Sequence, residues 1–305
     1  MAHKRRPISG VLLLDKPAGL SSNTALGRVK WLYNADKAGH TGTLDPFATG
    51  LLPICFGEAA KFARFMLEAQ KGYGATLRLG EQTSTGDTEG EVIDTRAVNI
   101  GSADIEAALK KLHGQQWQMP PMHSALKRNG VPLYKLARQG IEVERQPRPI
   151  EIFSLQLVSC VLPEVVIDTV VSKGTYIRVL AEDIGRLLGC GAHLTALRRQ
   201  KTGSFMLDQA ITLDALEAMT LSQRDQQLLP ADTLCAALPR LDLDSVETLA
   251  LQHGRTIEKN ALAEAEYRLY GDTGRFLGIG EITVTPNQGG RLTPVRLMAP
   301  TLESD

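Results

Sequence analysis

One acidic side chain lies in a segment that otherwise consists of glycine, threonine, proline, histidine, alanine and apolar residues. Asp45 follows Leu44 and precedes Pro46 in the sequence GHTGTLDPFATGLLP, residues 39–53. An aspartate before proline commonly forms a turn, in which its carboxylate accepts backbone N–H groups. A long loop that combines one acid with apolar residues can also hold a half-buried carboxylate on a fixed scaffold for catalysis. The residues alone leave both interpretations open.

Five other side chains could take part in chemistry near such a carboxylate, although each also has a plain structural interpretation. Tyr176 and Arg178 follow a strong β run, and alternation on an extended segment would place both on one face. A tyrosine can stack on a base, and an arginine can pair with a carboxylate or a phosphate; the plain alternative is a core tyrosine and a surface arginine. Tyr73, on another predicted strand, has the same ambiguity. His40 is a polar loop residue, a base-stacking wedge or a general acid, and Lys61 is by default a solvated lysine.

The pattern of apolar residues predicts the elements that would carry these side chains. Residues 39–53 are predicted to form a structured loop with little regular structure, and residues 81–90 a polar loop. Ser21 or Ser22 can cap a helix whose apolar positions repeat at helical spacing, and glycines at 189–191 end the helix that follows Arg178. The remaining predicted elements are strands at residues 8–14, 72–79 and 165–171 and helices at residues 57–67 and 103–113.

Composition excludes several classes of protein. The chain has 305 residues, 43% of them apolar, which is enough for a sizeable core. Its longest apolar runs are too short to cross a membrane, and the basic start is followed by a short apolar run that ends at Asp15, unlike a signal peptide. The four cysteines are far apart and lack the spacing of zinc ligands or of a disulfide framework. We therefore expect a cytoplasmic protein without metal.

The charge is unevenly distributed along a chain whose net charge is zero. Residues 1–240 contain 28 Lys and Arg against 24 Asp and Glu, whereas residues 241–305 contain 6 against 10. Residues 118–149 are irregular and basic, and a second basic cluster comprises Arg198, Arg199 and Lys201. Such clusters either face phosphates or form solvated surface. The glycine-punctuated tail, residues 241–305, predicts a small β-barrel-like domain of short strands.

Several long motifs in order resemble the TruB family of pseudouridine synthases. The segment GHTGTLDPFATGLLPICFGEAAK resembles the signature loop of that family, LLLDKPAGLSS its opening motif and SKGTYIRVLAEDIG its later active-site segment. The segments GCGAHLTALRRQKTGSF and HSALKRNGVPLYKLARQGIEVERQPR are similar too, so the resemblance covers nearly the whole chain. The tail resembles the small PUA-like domain of the family more weakly. One departure is Ala60, where a threonine is usual, and we expect no consequence from it.

The resemblance implies a role for each candidate residue. Asp45 would be the catalytic aspartate, and Arg178 would pair with it and keep it ionised. Tyr73 would stack against a flipped uracil and could also transfer a proton. His40 would stack into the RNA where the target base has left. The remaining substrate-binding residues implied are Tyr176 and Leu197, which would line the base pocket, and Lys61, which would lie near it.

The resemblance also implies the fold and the reaction. Residues 1–240 would form an α+β catalytic domain on a mixed, mostly antiparallel sheet, with residues 118–149 as an RNA-binding insertion, mobile without RNA. Residues 241–305 would form the small PUA-like β-barrel. The enzyme would isomerise uridine 55 in the T loop of tRNA to pseudouridine, flipping the base out. It would need no cofactor, no metal, no membrane and no obligate protein partner, and would act as a monomer on the tRNA T stem-loop.

Two other functions fit parts of the sequence. A non-catalytic tRNA-binding or RNA-folding protein would keep the basic insertion and the tail without needing Asp45. A hydrolase could use Asp45 on a sugar, but glycosidases usually use two carboxylates and the signature loop offers one. Glu58 is a candidate second acid, although its place at the start of a predicted helix favours a capping role.

Overall fold

The protein is described from a computed structural model that covers residues 5–285 and 289–299. Of the two predicted domains, residues 1–4, 286–288 and 300–305 lie outside the described part of the chain.

The strands of the described residues are numbered in chain order. They are β1 Gly10–Lys16, β2 Ala38–His40, β3 Thr49–Phe56, β4 Lys71–Leu79, β5 Glu81–Thr83, β6 Val92–Thr95, β7 Gly114–Gln118, β8 Lys127–Arg128, β9 Val131–Pro132, β10 Arg148–Val161, β11 Glu164–Val171, β12 Ala192–Thr202, β13 Phe205–Met206, β14 Ile211–Thr212, β15 Arg240–Asp242, β16 Ile257–Glu258, β17 Ala265–Tyr270, β18 Phe276–Thr285 and β19 Gly289–Leu297.

The helices are numbered in the same way. They are α1 Ser22–Leu32, α2 Arg64–Glu68, α3 Ser102–Lys111, α4 Leu133–Ala137, α5 Ile177–Leu188, α6 Leu213–Ala218, α7 Leu221–Asp225 and α8 Ser245–Gln252, with 3-10 turns at Gly57–Phe62, Leu207–Gln209 and Ala231–Cys235. Ser21 caps α1 by accepting a bond from the N–H of Thr24, and Gly189 ends α5 in the left-handed conformation. Among the described residues, no helix is long and apolar enough to span a membrane.

A ten-stranded sheet forms the centre of the molecule. Its strand order is β14-β1-β3-β12-β4-β11-β10-β7, with β2 paired to β3 and β13 to β12. The pairs β1–β14 and β3–β12 are parallel, and the other pairs in the sheet are antiparallel. The prediction of an α+β fold on a mixed, mostly antiparallel sheet is therefore confirmed.

Strands β1 and β3 are buried on both faces of the sheet. In β1, Leu12 and Leu14 join the larger core cluster, which also contains apolar residues of α1, α3 and α5. Val11 and Leu13 point to the other face and join a second cluster, which includes Phe62 and Ile279. Burial on both faces explains why the chain shows a continuous apolar run here rather than an alternating one.

The C-terminal residues form a second, five-stranded sheet of order β15-β17-β18-β19-β16, curled into a half-barrel. This agrees with the PUA-like fold expected for the tail. Helix α8 adds a helical element that the glycine-rich pattern did not predict. The rings of Phe62 and Phe276 meet edge to face with centroids 5.2 Å apart, so this sheet packs directly on the second core cluster.

Two local predictions are wrong. The segment 39–53 is not one continuous loop, because residues 39 and 40 end β2 and its last five residues begin β3, which pairs with both β1 and β12; residues 41–48 remain a loop. Gly50 makes this close pairing feasible: its φ is +102°, and a Cβ there would lie 2.3 Å from the carbonyl oxygen of Arg199. Tyr176 and Arg178 do not share an extended segment either. Tyr176 is the extended N-cap of α5, and Arg178 already lies in its first turn.

Candidate active site

The loop that carries Asp45 is fixed to the scaffold by backbone hydrogen bonds. The hydroxyl of Ser22 donates to the carbonyl of Leu44 and accepts from its N–H, at 2.9 and 2.7 Å. The ammonium of Lys16, buried at the end of β1, donates to the carbonyls of Pro17 and Leu20 and more weakly, at 3.4 Å, to that of Pro46. The loop is thus held on both sides of Asp45.

Arg178 is the main partner of that carboxylate. Its Nε lies 3.0 Å from Oδ2 of Asp45, and its Nη1 lies 3.5 Å from Oδ2 of Asp87. Nη1 also donates to the carbonyl of Thr85, and Nη2 donates to the carbonyl of His123 at 2.7 Å. The guanidinium is nearly buried. Its contacts connect three segments: the loop that carries Asp45, the segment after β5, and the insertion.

The charges around Asp45 have opposing effects on its pKa. Burial raises the pKa of Asp45 above its ordinary value, Arg178 opposes that shift, and the nearby Asp87 adds to it. Burial, followed by Asp87 and Asp45, likewise raises the pKa of Glu89. The pairing of Asp45 with Arg178 agrees with the geometry implied by the resemblance, while burial makes the ionised carboxylate less stable than in water.

A cavity of about 470 Å³ opens beside this ion pair. Six of the seven predicted site residues line it, namely His40, Asp45, Tyr73, Tyr176, Arg178 and Leu197. They come from four separate parts of the chain: β2 with the loop that follows it, strand β4, the start of α5, and strand β12. The long-range pairing of the sheet therefore assembles one site from residues far apart in sequence.

The seventh predicted residue, Lys61, lies elsewhere. It is absent from the lining of this cavity, and its ammonium pairs with Glu58 at 2.6 Å and donates to the carbonyl of Leu297 at 3.0 Å. The expectation that Lys61 lies near the pocket therefore finds no support in its contacts. The 3-10 turn after β3 faces the C-terminal sheet instead, and the same contacts show that Glu58 is not a second acid beside Asp45.

The aromatic residues of the cavity are held in different ways. Tyr73 lies on β4 directly opposite Arg199 of β12, and its ring is nearly buried. The backbone N–H and carbonyl of Tyr176 bond to the side-chain amide of Gln118, at 2.8 and 3.1 Å. His40 pairs with Ile54 on β3, and its Nδ1 is buried without a hydrogen-bond partner among the described residues. Burial, then the nearby Arg199, lowers the pKa of His40, which favours the neutral ring.

Sequence reasoning missed several groups that shape the site. Asp87 had been placed only in a polar loop, and residues 123–126 of the insertion line the cavity. The sequence left open whether the cluster with Arg199 faces phosphates or solvent, and the structure shows that Arg199 is 1% exposed and lines the cavity with Lys71. One signal was available, because Arg199 and Leu197 alternate on β12 and therefore point to the same face.

Comparison with known proteins agrees with this arrangement. A family model described as "TruB family pseudouridylate synthase (N terminal domain)" matches residues 30–177. The models "tRNA pseudouridylate synthase B C-terminal domain" and "Pseudouridine synthase II TruB, C-terminal" match residues 178–236 and 239–298. A tRNA pseudouridine synthase B of Thiobacillus denitrificans is 51% identical over 299 residues, covering 98% of this chain and 99% of that protein.

The chain belongs to the TruB family of pseudouridine synthases. It is thus an isomerase that converts uridine to pseudouridine. A second relative named tRNA pseudouridine synthase B, from Aromatoleum aromaticum, is 51% identical over 297 residues, covering 97% of this chain and 95% of that protein.

Solved structures share the fold at lower identity. A chain in the crystal structure of a Cbf5-Nop10-Gar1 complex has a TM-score of 0.71 and 24% identity, covering 94% of this chain and 84% of that chain. A chain in the structure of an H/ACA RNP bound to a substrate RNA containing 2′-deoxyuridine has a TM-score of 0.72 and 22% identity, covering 95% and 85%. These likenesses support the fold alone.

Proposed function

We propose that this TruB family member isomerises uridine 55 in the T loop of tRNA, with Asp45 as the catalytic carboxylate. The observation that carries the proposal is the 3.0 Å ion pair between Asp45 and Arg178 at the wall of a cavity. The tRNA substrate is supported by the shared name of relatives that align over nearly the whole chain. We further propose that the enzyme acts in the cytoplasm as a monomer.

The reaction begins with extrusion of the target nucleotide. A uridine within a folded RNA arm hides its glycosidic bond, and flipping it out costs a few kcal/mol. Stacking of a base on an aromatic ring contributes about 1–3 kcal/mol and offsets this cost. Tyr73 supplies such a ring inside the cavity, Tyr176 and Leu197 line the base pocket, and His40 takes the place of the departed base in the RNA. Its Nδ1 has no hydrogen-bond partner in the described part of the chain, and its lowered pKa favours the neutral ring, which suits that apolar environment.

The chemistry then exchanges one bond to the sugar for another. The bond between N1 and C1′ breaks, the uracil turns, and C5 forms the new bond to C1′. C5 loses its proton and N1 gains one, so atoms and electrons balance without a redox partner. Asp45 attacks C1′, attacks C6 of the base or removes the C2′ proton. Each route requires an ionised carboxylate, which is the form that Arg178 stabilises.

The domain organisation supports the same substrate. We propose residues 1–240 as the catalytic domain and residues 241–305 as a PUA-like RNA-binding domain. The insertion, residues 118–149, carries six basic side chains from residue 127 to 148 and lines the cavity through residues 123–126. An RNA arm lying against the insertion would therefore place its flipped base directly over Asp45.

The decisive experiment is nucleoside chromatography of an unmodified tRNA transcript after incubation with the enzyme. Intact mass would miss the product, because pseudouridine and uridine are isomers. Wild type is compared with Asp45→Asn and with Asp208→Asn, which changes an exposed aspartate outside the cavity. We expect one pseudouridine per tRNA at position 55 from wild type and Asp208→Asn. Asp45→Asn should bind the transcript and form none.

Three results would contradict all or part of the proposal. Product formation by Asp45→Asn at a rate near that of wild type would show that Asp45 is structural. Pseudouridine at a uridine other than position 55 would agree with the proposed reaction but would show that the target position is wrong. A protein that binds tRNA without forming product would behave as the non-catalytic RNA-folding alternative.

A further inference from the structure

Two buried cations in the cavity have no carboxylate partner among the described residues. Lys71, at the start of β4, and Arg199, on β12, both line the cavity that holds Asp45. They are 7% and 1% exposed. Arg199 lowers the pKa of Lys71, so the two positive charges are close enough to repel each other. Neither takes part in an ion pair in residues 5–285 and 289–299.

Arg199 uses only part of its guanidinium to brace the site. Its Nε donates to the carbonyl of Leu51 at 2.7 Å, and its Nη2 donates to the carbonyl of Gly42 at 3.0 Å. These bonds tie β12 to β3 and to the loop that carries Asp45. Within the described part of the chain, Nη1 makes no hydrogen bond. The bracing role therefore leaves donor capacity unused at a residue that lines the cavity.

Lys71 is held in a similar manner. Its Nζ donates to the carbonyls of Leu67 and Ala69, each at 2.7 Å. An ammonium has three N–H groups, so one remains for another acceptor. Burial, followed by repulsion from Arg199, lowers the pKa of Lys71 to about 8, while Glu68 acts in the opposite direction. Glu68 itself is exposed and bonds to Lys173.

A buried charge is costly unless an opposite charge or several hydrogen bonds compensate for it. The carbonyls compensate Lys71 and Arg199 only in part. Beside these cations, Asp45, which lines the cavity, and Asp87, which does not, both pair with Arg178. The cavity therefore combines an excess of negative charge around Arg178 with an excess of positive charge at Lys71 and Arg199. A ligand that is neutral at one end and anionic at the other matches this distribution.

We propose that Lys71 and Arg199 form a binding subsite for a backbone phosphate next to the flipped uridine. A nucleotide within RNA has the required distribution, because its base is neutral and each linkage carries one negative charge. The subsite would hold that charge away from Asp45, which would otherwise repel it, and would set the depth to which the nucleotide enters. This inference rests on the proposed function for the identity of the RNA.

The test neutralises one phosphate at a time. A T stem-loop RNA carries a methylphosphonate at the linkage 5′ or 3′ of the target uridine, or at a remote linkage in the stem. Binding is measured by fluorescence anisotropy in an Asp45→Asn background, so that no product forms. We expect one of the two flanking substitutions to weaken binding about tenfold more than the remote one. Adding Lys71→Gln should abolish that difference, whereas adding Lys173→Gln, at an exposed lysine, should preserve it.

Salt dependence gives an independent measure of the same contact. Each phosphate contact to a single-stranded nucleic acid contributes about 0.7 to the slope of log K against log salt. Lys71→Gln should reduce the slope by about that amount, and Lys71→Arg should restore it. Equal losses at flanking and remote linkages would overturn the proposal, even if Lys71→Gln did not fold, because that comparison uses a protein with Lys71 intact. Failure of the proposed function would be recognised separately, because wild type would then form no pseudouridine in the chromatography assay.

Discussion

The Nε of Arg178 lies 3.0 Å from Oδ2 of Asp45, while the remaining nitrogens of the same guanidinium bond to the carbonyls of Thr85 and His123. The charge partner of the proposed catalytic carboxylate is thus also the point at which three segments meet. A guanidinium can do this because its donors form a rigid fork, which an ammonium lacks. Arg178 therefore contributes to both the position and the charge of Asp45.

Replacing Arg178 with methionine should lower the single-turnover rate about 100-fold, or by about 2.7 kcal/mol of activation free energy, because it removes the cation that orients the partly exposed carboxylate of Asp45 and stabilises its ionised form. The pH profile should shift as well. Arg178 lowers the pKa of Asp45 against the upward effect of burial, so its removal raises that pKa further. Less Asp45 is then ionised at a given pH, and the acid limb of the rate profile moves to higher pH.

The matched control is Arg186→Met on the same helix, whose side chain is exposed and pairs with Asp183. It should leave both the rate and the profile unchanged. A rate loss in Arg178→Met with an unmoved acid limb would mean that Arg178 positions the loop without acting on the charge of Asp45.

Asp87→Asn should shift the acid limb of the rate–pH profile to lower pH, opposite to the shift expected for Arg178→Met. Repulsion from Asp87 raises the pKa of Asp45, so an uncharged amide lowers it and moves the acid limb to lower pH. The maximal rate should still fall about tenfold, because Asp87 accepts bonds from Thr85 and from the N–H of Glu89 and helps to hold Arg178. Rate–pH profiles of this variant and of Asp94→Asn, in the neighbouring β6, test this. A limb that moves upward would contradict the prediction.

The local pattern of apolar residues predicted the strands that carry the site better than it predicted the contacts between their side chains. The alternating runs gave β4 and β11 nearly to the residue, because each strand is buried on one face or both. The resemblance brought Asp45, Tyr73 and Arg178 together correctly. Neither showed that Asp87 joins Arg178, since that contact depends on how the loop between β5 and β6 folds over α5.

The errors have a similar origin. The charged neighbours Arg198 and Lys201 left open whether Arg199 faces phosphates or solvent, and neither alternative predicts that the pairing of β12 between β3 and β4 buries it. The resemblance implies that Lys61 lies near the pocket. The chain turns away after β3, and the C-terminal sheet, some 200 residues later, supplies its partner Leu297. Long-range strand pairing determines both positions.

Gln118→Ala should weaken the connection between the insertion and the site. The buried amide of Gln118 satisfies both backbone groups of Tyr176 at the start of α5. The carbonyl of Tyr176 would still accept from the N–H of Leu180, but its N–H would lose its partner. An unpaired buried donor costs about 1–3 kcal/mol, so we expect a loss of about 1 kcal/mol in unfolding free energy and a rate about tenfold lower. Denaturant titration and single-turnover kinetics measure the two effects. Gln115→Ala, at an exposed position of β7, is the control; a variant indistinguishable from it would show that the amide is dispensable.

Lys61→Met separates the interpretation based on resemblance from the one based on contacts. The side chain of Lys61 is about one-third exposed and pairs with the similarly exposed Glu58, and such pairs contribute about 0–1 kcal/mol. We therefore expect an unfolding free energy within about 1 kcal/mol of wild type. The single-turnover rate at saturating tRNA should stay within about twofold, because Lys61 does not line the cavity. A rate loss of tenfold or more at saturating tRNA would mean that Lys61 reaches the bound nucleotide after all, which requires its bonds to Glu58 and Leu297 to break when RNA binds.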